Sequence, residues 1–80
     1  MQKAEQSYLQ ALEIDPESFF PNYNMGVLKS NDKNQEEDCL KYFLKSLQIA
    51  QDNNEEVYQI NVNINLALVH ERAFRLEQAI

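Results

Sequence analysis

Eighty residues leave room for one small domain and little depth for a catalytic pocket, because a chain this short buries only about 60–65% of its unfolded surface. One glycine and two prolines argue against a turn-rich all-β fold, while 44% apolar and 25% charged residues are ordinary for a globular chain. A net charge of −6 argues against nucleic-acid or anionic-membrane surfaces, and no apolar run nears the roughly 18–20 residues of a membrane span.

The N-terminal MQKAEQSYLQ has no signal-peptide core, and its apolar positions already follow helical spacing. Ala4, Tyr8, Ala11 and Leu12 stand at i, i+4, i+7 and i+8, so a first helix is expected over about 2–14. Asp15-Pro16 stops it, since the residue before proline is pushed out of the α region. Ser18 is the expected cap of a second helix over about 19–30, with Pro21 tolerated in its first turn. Ser30–Asp38 reads as a polar turn. A third helix is expected over about 35–51, its acidic start suiting the positive end of the helix dipole. Its apolar stripe is Cys39, Leu40, Phe43, Leu44 and Leu47. Asp52-Asn53-Asn54 breaks the chain before a long fourth helix, about 55–74. Residues 76–80 read as the stub of a fifth. Short connections predict antiparallel neighbours throughout.

Two motifs recur along this succession. AEQSYLQALEID (Ala4–Asp15) aligns with CLKYFLKSLQIA (Cys39–Ala50) at an offset of 35, and Tyr23–Gly26 (YNMG) aligns with Ile64–Ala67 (INLA) at an offset of 41. Gln78-Ala79-Ile80 looks like the opening of a further copy. Repeats of this length signal stacked supersecondary units. The pattern resembles the tetratricopeptide repeat. ALEIDPESFFPNYNMG (Ala11–Gly26) is similar to that family's helix-B end, Asp-Pro turn and helix-A start. Ala4, Tyr8, Ala11 and Pro16 fall on its small, aromatic, small and proline positions, and NLALVHERAFRLEQAI (Asn65–Ile80) resembles the next helix A. Asn22 stands where the family often has Trp, Gln51 replaces the proline after helix 3, and the family's glycine in the A–B turn is absent. The extended fourth helix resembles the longer repeats of kinesin light chains. The resemblance implies an all-α array of antiparallel hairpins in a right-handed superhelix, running B-A-B-A plus the stub. Small residues at Ala4, Ala11, Gly26 and Ala67 would let helices approach, with Tyr8 and Phe43 opposite them.

Catalytic and metal chemistry find little footing. His70-Glu71 lacks the second histidine of a zinc-protease helix, Phe74 standing in its place, and His70 reads as a half-buried helix residue. A single cysteine forms no internal disulfide and suits a reducing compartment, and Cys39 reads as a packing residue. Asp32–Asp38 lacks the central glycine and terminal glutamate of a calcium loop, and one glycine makes no phosphate loop. No enzyme activity, cofactor or metal is expected. By position in the family, the A helices would line a concave groove. Helix 2 would present Phe20, Tyr23, Asn24, Val27 and Ser30. Helix 4 would present Asn61, Ile64, Asn65, Leu68, Glu71 and Arg72. An amide offers both donor and acceptor, so Asn24, Asn61 and Asn65 could read an extended peptide backbone, an arrangement similar to the asparagine ladder of O-linked N-acetylglucosamine transferase repeats. The Lys/Arg set of a chaperone-tail carboxylate clamp is missing, since Asn61 and Asn65 occupy the matching positions.

The expectation is a cytoplasmic protein-interaction scaffold that binds a neutral to basic peptide or helix in this groove, without nucleic acid or membrane insertion. The alternatives are a self-assembly module that oligomerises through uncapped end helices, and a regulatory part of a larger enzyme. In either case the chain would work as a homo-oligomer, or within a longer array or complex.

Overall fold

Every element in the computed structural model is a helix, and the order follows the breaks set by Asp-Pro and the Asn pairs. The structure describes the backbone of residues 2–79 and the side chains of residues 3–32 and 34–72. Helix α1 spans Gln2–Ile14, α2 Phe19–Ser30, α3 Glu36–Asp52 and α4 Glu56–Ala79, with a single 3₁₀ turn over Lys33–Gln35 before α3. No strand occurs among the described residues, so the chain is all-α.

Each junction has a local cause. After α1, Asp15 Oδ1 accepts from the Glu17 N–H at 3.1 Å and the Asp15 carbonyl accepts from Ser18 N–H, an Asx turn built on Asp-Pro. Ser18 takes the extended backbone of an N-cap, but its side chain makes no capping bond, contrary to expectation. Asn22 closes this turn instead. Its buried amide Nδ2 donates to the Ser18 carbonyl at 2.8 Å and to the Pro16 carbonyl at 3.1 Å. An indole at this position could not bridge two carbonyls, having one N–H. Before α3, Asp32 caps the 3₁₀ turn, accepting from the Asn34 N–H and from Gln35 Nε2, each at 2.9 Å. The backbone bond from Asn34, then that from Gln35, holds its carboxyl below the ordinary value.

The α3–α4 junction turns on Asn54, at φ 57° the one non-glycine residue with left-handed backbone among those described. The Glu55 N–H donates to the Ala50 carbonyl at 2.9 Å and the Asn54 N–H to the Gln51 carbonyl at 3.1 Å. This is a Schellman end, with asparagine in the place glycine usually takes. Helix α4 then runs unbroken to Ala79, where the sequence suggested a turn after 74 and a new helix from 76. The stretch 73–79, AFRLEQA, holds no glycine, proline or capping residue, so nothing local ends the helix. Ile80 lies outside the described residues.

Packing follows chain order. Lys29 Nζ meets Glu5 Oε1 at 2.8 Å between α2 and α1. That bond raises the Lys29 pKa above its ordinary value. Lys45 meets Glu17 at 2.7 Å between α3 and the first turn. The core is Phe19, Met25, Cys39, Phe43, Ile49, Ala50, Val62 and Val69, flanked by Tyr23, Leu40, Leu47, Tyr58 and Leu66. Helix α3 sits at its centre, touched by α2 on one side and α4 on the other, whereas α1 packs on α2 alone among the described helices. The closest approach is at Gly26: a Cβ there would lie 2.5 Å from Cδ1 of Phe43, whose ring is fully buried. The expected pairing of small residue and aromatic therefore holds at Gly26 and Phe43. It does not hold at Ala67, which is exposed.

Three further expectations are corrected. Leu44 is 57% exposed, because the buried side of α3 is centred on Cys39, Phe43, Ser46 and Ala50, and Leu44 lies about 100° round the helix from Phe43. Ser46, absent from the expected stripe, is fully buried, its hydroxyl donating to the Phe43 carbonyl at 2.8 Å. His70 is exposed rather than half-buried.

Candidate functional site

Helices α2 and α4 form the candidate surface, joined at three levels. At the base, Phe19 stacks on Tyr58 with ring centroids 4.6 Å apart and on Tyr23 at 5.5 Å. Phe20 meets Phe19 and Tyr58 edge-on at 5.3 and 5.2 Å. These are preferred aromatic geometries and fix the start of α2 against the start of α4. One turn higher, Asn65 Nδ2 donates to the Tyr23 hydroxyl at 2.7 Å. At the top, Arg72 Nη2 donates to the Ser30 carbonyl. Residue numbers rise together on both helices, so α2 and α4 run parallel, with α3 antiparallel behind them. The two polar links each join residues 42 apart.

The sequence-selected residues divide by depth. Phe20 and Val27 of α2 are exposed, and so are Asn61, Ile64, Leu68, Glu71 and Arg72 of α4. Tyr23, Asn24 and Asn65 are half-buried at the seam between the helices. The amide row differs from a free ladder. Asn65 Nδ2 also donates to the Asn61 carbonyl at 2.9 Å, so both its N–H groups are engaged within the protein and its side-chain oxygen is the group left to a ligand. Asn61 keeps a solvent-facing amide. Phe19 belongs to the core, while Phe20, 54% exposed, sits on the rim of the aromatic cluster.

The sequence reading missed two features. Val57 and Ile60 are exposed on α4 together with Ile64 and Leu68, which gives this helix apolar residues on its outer side as well as its buried one. Their signal lies in the helix as a whole, whose apolar residues are spread around the axis instead of gathered in one stripe. A cleft of about 420 Å³ lies on the opposite side of the molecule, between α1, the Asp-Pro turn and α3. Leu12, Pro16 and Tyr42 line it together with Asn22, Lys41 and Lys45, and the Lys45 ammonium is held by Glu17. The i, i+4 lysine pair on α3 was the available clue.

Cys39 has no exposed surface, and burial pushes its thiol above the ordinary value, so it carries little thiolate at neutral pH. Among the described residues no three His, Cys, Asp or Glu side chains converge to hold a metal, and no helix is long and apolar enough to cross a membrane. No protein-family model matches the chain, and neither a curated protein nor a solved structure matches it.

Proposed function

We propose that this chain is a non-catalytic, tetratricopeptide-type interaction module of the cytoplasm that captures a neutral to basic peptide or helix on the surface shared by α2 and α4. The observation that carries the reading is the pair of polar links at one constant separation. Tyr23–Asn65 and Ser30–Arg72 each span 42 residues, as expected when one helix is the translated copy of another. The sequence offset of 41 between YNMG and INLA agrees with it to one residue. Translated A helices would lie side by side in a superhelix and present one continuous face.

The chemistry of that face suits a peptide. Phe20, Val27, Ile64 and Leu68 offer apolar contacts, Asn61 offers a donor and acceptor, and the Asn65 oxygen accepts. The net charge of −6 favours neutral or basic segments through long-range attraction.

Selection from a displayed peptide library tests the reading. Peptides enriched on the chain should lose at least tenfold in affinity for a Phe20→Ala/Leu68→Ala variant that keeps its helicity. Enriched peptides that bind the variant equally well, or that map by NMR to the Lys41/Lys45 cleft, would sink it.

A further inference from the structure

A row that winds across the outer side of α4, and ends on the flank where Arg72 meets α2, has an unusual order. Glu56, Ile60, Ile64, Leu68 and Arg72 follow one another at intervals of four, and all five are exposed. Residues four apart form one of the natural ridges of a helix surface. This ridge begins with an acid, continues with three apolar side chains that are 54–58% exposed, and ends with a cation.

Such a ridge is its own complement under a two-fold axis. With the axis at Ile64, an antiparallel second ridge places Ile64 against Ile64, Ile60 against Leu68 and Glu56 against Arg72. A parallel arrangement would instead set acid against acid and cation against cation. We infer that this ridge is the isologous interface of a homodimer, so that the helix captured by the interaction surface is α4 of a second copy of this chain. The inference rests on the interaction-module reading and names its partner.

Two further observations support a second copy. The three central residues carry no charge, so two chains of net charge −6 meet there without apposing like charges. The chain also exposes 5795 Å², whereas a compact monomer of 9.4 kDa exposes about 5,000 Å². Arg72 bonds Ser30 through one of its five N–H groups, which leaves donors for the Glu56 carboxylate of the second copy. The exposed Ala67 beside the ridge lets a second helix come close.

Sedimentation equilibrium of the 80-residue chain over a concentration series, with circular dichroism on each sample, tests this. The expected result is a concentration-dependent dimer. Ile64→Lys places two ammonium groups on the axis and should weaken it by about 100-fold. Glu56→Arg and Arg72→Glu should each weaken it by about tenfold at low salt, and the two together should restore it to within about threefold. Positions 56 and 72 lie about 24 Å apart along one helix, so rescue reports only a contact between chains. Since Arg72→Glu also breaks the link to Ser30, Ile64→Cys supplies an independent readout. Mild oxidation should cross-link Ile64→Cys but not Val57→Cys, which the register sets opposite Glu71, and the buried Cys39 stays out of the reaction. A monomer at every concentration overturns the proposal, and the interaction-module reading then stands or falls on the peptide selection alone. A dimer indifferent to Ile64→Lys, or an unrescued charge swap, also overturns it, by placing the contact elsewhere or in another register.

Discussion

Gly26→Ala is the sharpest test of how the helices are held. In an exposed helix interior this change stabilises by about 1 kcal/mol, because alanine loses less backbone freedom on folding. Here the new Cβ would fall 2.5 Å from Cδ1 and 2.6 Å from Cε1 of Phe43. Carbon atoms rest at about 3.5–4.0 Å, so the ring must retreat by about 1 Å. Phe43 has no exposed surface and leans on the Tyr23 ring at 5.9 Å, so it has no open side. Overpacking of this kind costs about 1–3 kcal/mol. Set against the propensity gain, the expected net loss is up to about 2 kcal/mol. For a chain of this size that lowers Tm by up to about 15 °C. Urea unfolding followed by far-UV circular dichroism should show a lower midpoint at unchanged slope. The companion variant Phe43→Leu removes the obstructing ring atoms. In that background Gly26→Ala should be neutral or stabilising, a coupling of at least about 1 kcal/mol. If Gly26→Ala alone proves more stable than the parent, the close α2–α3 contact is not what selects glycine here.

Other expectations follow from the junctions and the core. Asn54→Gly should stabilise by a few tenths to about 1 kcal/mol and Asn54→Ala should destabilise, because only the former relieves the left-handed backbone at φ 57°; thermal melts decide. Asn22→Leu should cost about 1–3 kcal/mol by leaving the Pro16 and Ser18 carbonyls without their donor, measured by denaturant unfolding. The Asp32 carboxyl is held below 3.8, so its contribution to the turn is complete above that pH and is lost as pH falls through the lower folded value. The Asn34 amide should report this loss by NMR, and Asp32→Asn should abolish the response. Cys39 should react with a thiol reagent at pH 8 at least about 100-fold more slowly than in urea, since reaction requires opening of the core.

What the sequence disclosed depended on how local the cause was. Asp15-Pro16 and the Asn53-Asn54 pair act on the backbone within a few residues, so the first three helices end within a residue or two of expectation. The stripe Ala4, Tyr8, Ala11 and Leu12 faces inward because α1 has one neighbour and needs one face. Helix α3 has two neighbours, and its buried side widened past Leu47 to Ser46, Ile49 and Ala50 while Leu44 was left outside. Which way a broad face turns depends on helices far away in sequence, and spacing alone does not carry that. The unbroken run of α4 beyond residue 74 departs from expectation because Gln78-Ala79-Ile80 matches the opening of a further motif copy, whereas no residue of 73–79 breaks a helix. At the candidate site, the expected repeat position put Tyr23 and Asn65 on one face, and the two meet at the α2–α4 seam. It did not show that the Asn65 donors are occupied within the protein, since that needs the Tyr23 hydroxyl at 2.7 Å.

The packing of each helix chiefly on its neighbour in the chain also sets how the protein forms. Contacts between α1 and α2, α2 and α3, and α3 and α4 close only short loops, so the contact order is low and the entropic barrier to the first pairing is small. The Gly26–Phe43 contact closes just 17 residues and makes the α2–α3 hairpin the natural nucleus. Helix α4 would add next through Val62 and Val69, and α1, which docks on α2 alone, would add last. Unfolding runs the other way: α1 departs first, while the three-helix remainder keeps every core residue among those described, since none of these lies before Phe19.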